Sequence, residues 1–234
     1  SQKTQPWAPL NSDGTLQFPD ANPYGVLAVR GHQYVVDAGA NTLNEVRPDG
    51  TVRIIAYFPN PMLYGHAISD SVPTCIAQGP DGMLYIGTLA FGANAAAGGG
   101  GQSVVYRVNP NSPVPATPEV WAADLNPITG CGFGKDGAFY VTEYTTSFPR
   151  SNLGDVVRIP VNPDGSAAKG VNLTTSMDVY QPDGMRLSSD GKILMIEGRG
   201  KDGNGRLDEV TVNGDAATIK VIKDHYMIPA AVTV

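Results

Sequence analysis

Short apolar runs alternate with turn residues along most of this chain. The clearest case reads QPDGMRLSSDGKILMIEGRG, in which the runs Met185–Leu187 and Ile193–Ile196 flank Asp190-Gly191. Glycine accepts a positive φ without steric cost, so this dipeptide predicts a tight turn between two antiparallel strands. The two ends of a β-hairpin lie together, and we therefore expect Asp183 and Glu197 at the same end of it.

The same hairpin pattern recurs at regular intervals. Its turn residues Asp81, Asp136 and Asp190 are 55 and 54 positions apart. The repeat that begins at Asn22 predicts four strands, at Val26–Val29, Gln33–Val36, Thr42–Arg47 and Thr51–Phe58. Four short strands in a period of this length are typical of β-propeller blades. A two-sheet sandwich is the alternative, but it does not require internal repetition. We predict an all-β fold, a β-propeller of four-stranded blades.

The repeats predict one propeller domain over residues 1–234, with four full blades and part of another. The repeats lie near 22–59, 71–124, 125–178, 179–224 and 225–234. Upstream of them, Gly14–Phe18 is predicted to be an outer strand, because DGTLQFP resembles the later DGTVRIIAYFP. Such a ring has an open edge, which invites pairing. We expect either a piece of a longer protein or a second chain that completes the propeller.

Composition narrows the possible partners and the compartment. With 28 Gly, 19 Pro and 16% charged residues, the chain suits many short strands. A net charge of −6 argues against nucleic acid, and no run approaches the roughly 20 apolar residues of a membrane span. Few lysines, Gly-rich loops and a first residue other than Met favour a secreted or periplasmic protein. Cys75 and Cys131 fall one residue out of register in the aligned repeats and are predicted to be free thiols.

Alignment on the Asp-Gly turns predicts which side chains line the central channel. The first strand of each blade contributes one equivalent position, occupied by Tyr24, Thr74, Thr129 and Asp183. The second strand ends on the same face, with Asp37, Thr88, Glu143 and Glu197. The loops at 60–71, 89–103, 144–154 and 198–205 open there too, and they carry His66, Arg150 and Arg199, with His225 nearby. Long loops on one side of a rigid scaffold commonly form functional sites.

Carboxylates around a narrow opening suit Ca²⁺ or Mg²⁺, which prefer oxygen ligands and can acidify a bound water. The expected metal ligands are Asp183, Glu197 and Glu143. The expected catalytic residues are Asp183, Glu197, His66 and His225. The expected substrate-binding residues are Tyr24, Thr74, Thr129 and Arg199. As the structural alternative, Asp37, Glu143 and Glu197 accept backbone N–H groups where strands turn.

The segments NPYGVLAV, QYVVDAGANTLNEVRPDGTV and SVPTCIAQGPDGMLYIGTL resemble the ScyD/ScyE-type propellers. These are relatives of the gluconolactonase/senescence-marker/regucalcin superfamily, whose members typically have six blades. QPDGM is similar to the PDGM of regucalcin-type lactonases, and the resemblance implies that Asp183 is a metal ligand. An Asn-Gly and an N-terminal Glu supply further ligands in those lactonases, where this chain has Thr129-Gly130 and Tyr24.

Two functions follow from these patterns. The first is metal-assisted hydrolysis of a lactone or similar small ester, with Asp183 holding the ion and Glu197 or a loop histidine assisting proton transfer. The alternative is a non-catalytic propeller that binds a protein or a small molecule. Thermal stabilisation by divalent ions distinguishes the two.

Overall fold

The computed structural model describes residues 20–147 and 151–233. The strand predicted at Gly14–Phe18 and the residue Arg150 lie outside these ranges. Within them the chain is nearly all β, which confirms the predicted fold class. The helix content of this part is a single six-residue segment, and no helix there is long and apolar enough to span a membrane.

The first two blades are antiparallel sheets of four strands. Blade 1 contains β1 (Pro23–Val29), β2 (His32–Asp37), β3 (Thr42–Val46) and β4 (Val52–Tyr57) in chain order. A short hairpin, β5 (Met62–Leu63) and β6 (His66–Ala67), leads to blade 2. Blade 2 contains β7 (Pro73–Gln78), β8 (Leu84–Thr88), β9 (Ser103–Val108) and β10 (Glu119–Leu125).

The other two blades repeat this order with additions at their outer sides. Blade 3 contains β11 (Ile128–Phe133), β12 (Phe139–Glu143), β13 (Leu153–Ile159) and β14 (Val171–Asn172), and β16 (Val179–Tyr180) also pairs with β13. Blade 4 contains β17 (Pro182–Leu187), β18 (Ile193–Glu197), β19 (Gly205–Asn213) and β20 (Ala216–Tyr226). Strand β15 (Thr174–Thr175) runs parallel to β20 along its outer side.

Hairpin turns between the first two strands of each blade have the predicted glycine chemistry. Gly82 and Gly137 both have φ of +80°, which a residue with a Cβ adopts only with strain. The first strands of successive blades lie side by side, β1 with β7, β7 with β11 and β11 with β17.

Neighbouring inner strands approach too closely for ordinary side chains at one position. A Cβ added to Gly25 in β1 would lie 2.9 Å from the backbone oxygen of Thr74 in β7. A Cβ on Gly184 in β17 would lie 2.9 Å from the backbone oxygen of Ala230. The chain after β20 therefore returns to blade 4 in the position that the inner strand of a following blade takes elsewhere.

A disulfide joins Cys75 in β7 to Cys131 in β11, with their Cα atoms 5.7 Å apart. The prediction of two free thiols is therefore wrong. It rested on the one-residue offset between the cysteines, but neighbouring inner strands are themselves staggered by one residue. Gly130, the equivalent of Cys75, lies against Met185 in the next blade. Met185 is the equivalent of Cys131, so the offset places the two sulfurs together.

Helix α1 (Phe91–Ala96) lies in the Gly/Ala-rich segment that was predicted to be a loop. The buried amide of Asn94 explains it. The Asn94 side chain donates to the Ala90 carbonyl at 3.0 Å and to the Ser103 hydroxyl at 2.9 Å. It also accepts the backbone N–H of Gln102 at 3.0 Å. One side chain thus ties the helix to the start of β9.

Candidate active site at the axial face

The inner strands of blades 1 and 4 meet through a side-chain hydrogen bond. The hydroxyl of Tyr24, at the start of β1, donates to Oδ1 of Asp183, at the start of β17, with an O–O distance of 2.6 Å. These residues are 159 positions apart in the chain. They occupy equivalent positions in the aligned repeats, so the structure brings together two of the residues predicted at the channel.

Partial burial raises the pKa of both members of this pair. It raises the pKa of Asp183 above its ordinary value, and the hydrogen bond from Tyr24 opposes that rise. It also raises the pKa of Tyr24, and the neighbouring Asp183 adds to the effect. Tyr24 therefore stays protonated and donates, while the raised pKa makes the Asp183 carboxylate a stronger proton acceptor. Its second oxygen, Oδ2, accepts no hydrogen bond from residues 20–147 and 151–233 and is left for water or a ligand.

A second phenol, Tyr144, interacts electrostatically with Asp183. Burial raises its pKa first, the charge of Asp183 raises it further, and the charge of Arg199 opposes both. The exposed side chain of Arg199 lies in the loop that follows β18. The ring of Phe91 packs edge-on against Tyr144, with centroids 5.4 Å apart. Tyr144 was not predicted as a site residue, although it directly follows the strand end at Glu143.

The two threonines at the channel position have a different environment. The Thr74 hydroxyl donates to the backbone oxygen of Ile128 at 2.7 Å, and the Thr129 hydroxyl donates to that of Pro182 at 2.6 Å. Both threonines are buried. Each one links its inner strand to that of the next blade with its only O–H donor. The role predicted for them in substrate binding stays a prediction.

Two of the recurring strand-end carboxylates accept N–H groups, as the structural alternative predicts. Oδ1 of Asp37 accepts from the backbone of Asn22 at 2.8 Å and of Ala40 at 2.9 Å. Glu143 accepts the Asn126 backbone N–H at 2.8 Å with Oε1 and the Asn126 side-chain amide at 2.6 Å with Oε2. Burial raises the pKa of Glu143 to about 7. Both carboxylates hold the segment that enters the inner strand of their own blade.

The third strand-end carboxylate, Glu197, lies in a buried ionic cluster. Its Oε1 accepts from Arg206 at 2.7 Å, and Oδ2 of Asp208 accepts from the same guanidinium at 2.9 Å. Both carboxylates are fully buried, and Glu197 Oε2 and Asp208 Oδ1 have no hydrogen-bond partner among the described residues. Burial raises the pKa of Glu197 to about 8, against the effect of Arg206. The two carboxyl groups share one guanidinium, so the cluster keeps one proton up to neutral pH.

Both predicted histidines are exposed. His66 lies in the β5–β6 hairpin, and His225 lies near the end of the outer strand β20, with Nε2 3.9 Å from Asp224 Oδ1. Across the described ranges, neither histidine makes a hydrogen bond or an ion pair with Asp183. Their predicted catalytic role stays a prediction.

The predicted metal ligands differ in how many of their oxygens already accept hydrogen bonds. Both oxygens of Glu143 accept hydrogen bonds from Asn126. Glu197 is paired with a guanidinium, which repels a second cation. Residues 20–147 and 151–233 contain no group of three His, Cys, Asp or Glu side chains able to hold an ion. Within the described residues, Asp183 Oδ2 and Glu197 Oε2 are the oxygens of the predicted ligands that accept no hydrogen bond, and the metal site stays a prediction.

Solved structures with the same fold include enzymes of two reaction types. A structure assigned to the gluconolactonases without an established activity superposes with a TM-score of 0.61 at 19% identity. The match covers 94% of this chain and 70% of that protein. A streptogramin B lyase gives 0.58 at 17%, over 96% and 64%. A gluconolactonase from Xanthomonas campestris gives 0.55 at 18%, over 85% and 59%.

These similarities establish the propeller fold. The chain spans between 59% and 70% of the length of these three structures. No family model and no curated protein matches the sequence.

Proposed function

We propose that this protein is a hydrolase or lyase that opens a lactone or similar small ester at the axial face of its propeller. The contact between Tyr24 and Asp183 carries the proposal. It holds a carboxylate with a raised pKa where the inner strands of two blades meet. Raised carboxylate pKa values are typical of general bases. Gluconolactonases and a streptogramin B lyase among the structures with the same fold support this reaction class.

In the proposed hydrolysis, Asp183 accepts and returns each proton. Oδ2 of Asp183 accepts a proton from water while the water oxygen bonds to the carbonyl carbon. Negative charge develops on the carbonyl oxygen, and the cation near this site is Arg199. The ring C–O bond then breaks, and the leaving oxygen takes the proton from Asp183 to give a hydroxy acid. In a lyase reaction the same carboxylate removes a proton from carbon as the C–O bond breaks.

Replacement of Asp183 with asparagine is expected to lower kcat/KM at least about 10²-fold. A general base typically contributes 10²- to 10⁴-fold. Asparagine can still accept the hydrogen bond from Tyr24, so the fold should be retained. The measurement is acid release in a pH-stat with five- and six-membered lactones and an aryl ester. Asp190→Asn is the matched control, because it removes the same charge at the exposed turn of the same hairpin.

The pH profile gives a second readout of the same group. Activity should fall as the pH drops through the pKa of Asp183, because the base must be ionised. Tyr24→Phe removes the hydrogen bond that opposes the raised pKa. The acidic limb should therefore move to higher pH in that variant. Full activity in Asp183→Asn would overturn the proposal, and ligand binding without turnover in the wild type would favour the non-catalytic alternative.

The divalent ion predicted from the sequence is tested separately, with Asp183 as its candidate ligand. Because Glu143 and Glu197 already have partners, we expect Ca²⁺, Mg²⁺ or Mn²⁺ to raise the Tm no more than they do in Asp183→Asn. Bound ligand stabilises by RT ln(1 + [L]/Kd), so a thermal-shift series with and without EDTA is the measurement. A metal-dependent rise in Tm that Asp183→Asn abolishes would contradict this expectation and assign an ion to the site.

Export from the cytoplasm is also proposed. Disulfides persist in oxidising compartments and are rare in the cytosol. The bridge between Cys75 and Cys131 supports a secreted or periplasmic location for this protein.

A further inference from the structure

Each inner strand has a β-bulge at the residue that occupies the channel position. Pro23 and Gly25 pair with consecutive residues of β2, so Tyr24 is left as the extra residue of β1. The same shift in register leaves one extra residue in each of blades 2, 3 and 4, namely Thr74, Thr129 and Asp183. A bulge re-aims a side chain and is common next to active sites. The bulge in β17 therefore sets the direction of the Asp183 carboxylate.

The end of β18 supports the bulge in β17 from the opposite strand. Glu197 pairs with Pro182, and the backbone N–H of Gly198 donates to the Gln181 oxygen at 3.0 Å. A Cβ added to Gly198 would lie 3.8 Å from the Cβ of Asp183. Gln181 has a φ of +45°, and a side-chain-bearing residue keeps such a conformation only where its surroundings impose it. The residues at the end of β18 thus fix the backbone from which Asp183 projects.

Arg206 joins this strand end to the segment that leads into β17. It pairs with Glu197 in the β18–β19 ladder, and its guanidinium donates to Glu197 Oε1 at 2.7 Å. The same guanidinium donates to the backbone oxygen of Asp178 at 3.0 Å and to Oδ2 of Asp208 at 2.9 Å. A planar guanidinium holds several acceptors in fixed directions. One side chain therefore links the chain before the bulge to the strand opposite it.

Blades 1, 2 and 3 hold their bulges without a cation at this place. The residues that lie opposite the end of the second strand there are Thr42, Val104 and Asp155. The same bulge thus forms without an arginine, so the fold of the blade does not account for Arg206. Of the four bulge residues, Asp183 is the carboxylate, and it belongs to the blade that has the arginine.

We infer that Arg206 is a positioning residue, which fixes the bulge in β17 so that the Asp183 carboxylate meets the Tyr24 hydroxyl. The inference rests on the proposed function of Asp183 as a general base. Arg206 acts through the backbone, since its guanidinium is held by Glu197, Asp208 and the Asp178 oxygen. The Tyr24–Asp183 contact spans 2.6 Å between two inner strands, so a small shift of the bulge breaks it.

Arg206→Lys tests this role with the buried charge retained. An ammonium keeps the cation between Glu197 and Asp208 but does not hold the same acceptors in fixed directions. We expect kcat to fall at least about tenfold while KM changes less than about twofold, because the base is displaced rather than the substrate contacts. The acidic limb of the pH profile should also move to higher pH, as in Tyr24→Phe, because the same hydrogen bond weakens.

A second variant and a matched control accompany this substitution. Glu197→Thr gives the strand end the residue that blade 2 has there, Thr88, and removes the acceptor that links Arg206 to the bulge. It should move the acidic limb in the same direction. Arg158→Lys is the control, because Arg158 donates to Asp136 at 3.1 Å near the turn of its blade, at the opposite end from the channel position. It should behave like the wild type.

A ¹³C NMR titration of the Asp183 carboxyl group, assigned with Asp183→Asn, gives a readout that does not need turnover. The pKa should be higher in Arg206→Lys and Glu197→Thr than in the wild type, and unchanged in Arg158→Lys. The other ionisable groups near Asp183 are present in all of these proteins, and they are Tyr24, Tyr144 and Arg199. A change in the pKa therefore reports the position of the carboxylate.

The two proposals fail in different ways. If the wild type turns over no lactone or ester, the proposed function fails, and the NMR titration alone decides the positioning role. An Asp183 pKa equal to that of the wild type in the variants that circular dichroism shows to be folded would overturn the inference, even if kcat falls. An equal shift in Arg158→Lys would also overturn it. Either Arg206→Lys or Glu197→Thr suffices if the other does not fold.

Discussion

Removal of the disulfide should lower the free energy of unfolding by about 4 kcal/mol. The bridge closes a loop with a sequence separation of 56 residues, and loops of that size constrain the unfolded chain by about this amount. It also joins the inner strands of blades 2 and 3 inside a buried cluster. Urea unfolding of Cys75→Ser, Cys131→Ser and the double variant measures the loss.

The comparison of single and double variants separates the cross-link from side-chain packing. Either single substitution breaks the same bond, so all three proteins should lose a similar free energy. Losses that add between the two sites would show that packing dominates, which would contradict the argument from the unfolded chain. A separate thiol titration checks that the bridge is formed in the wild type. Wild-type protein denatured without reductant should show no free thiol.

The sequence predicts the blades because their turns repeat. Asp81, Asp136 and Asp190 mark hairpins that the structure confirms in blades 2, 3 and 4. Alignment on these turns also places Thr74 and Thr129 at equivalent positions, and the structure confirms this with equivalent hydrogen bonds to the next inner strand. Local turn chemistry and regular spacing thus suffice for the architecture.

The contents of the candidate site are harder to predict, because equivalent positions have different neighbours. Thr74 and Thr129 each have a following blade whose backbone accepts their hydroxyl. At Asp183 the contact is instead a phenol from the other end of the chain. Spacing within repeats contains no information on which side chains meet across the centre. The Cys75–Cys131 bridge was missed for a related reason, since the stagger between strands is a property of their packing.

One signal for the buried cluster was present in the sequence. Arg206 and Asp208 are two residues apart in a strand, so they share one face. In the aligned blades, Asp208 occupies the row that contains Tyr106 and Val157, at the interface between blades. A charge at a core position predicts a buried partner. Neither Arg206 nor Asp208 was predicted as a site residue.

Replacement of Arg206 with alanine should destabilise the fold by about 3–5 kcal/mol at neutral pH. It would leave Glu197 and Asp208, both fully buried, without their cation. Breaking a buried ion pair by removing one partner typically has this effect. Arg107→Ala is the control, because the partly exposed pair with Asp81 at 3.6 Å should contribute less than about 1 kcal/mol. Urea unfolding at several pH values is the measurement.

The pH dependence of the free energy of unfolding shows whether the buried cluster holds a proton. The pKa of Glu197 is raised to about 8 in the folded protein, against about 4.3 in an unfolded chain. The folded state therefore binds the extra proton, so this contribution to stability is complete below about pH 4.3 and is lost as the pH rises through 8. Glu197→Gln should remove that slope, since the amide oxygen still accepts from Arg206 without a charge. A slope that persists in Glu197→Gln, or an equal loss in Arg206→Ala at pH 5 and pH 9, would show that the cluster does not hold the proton.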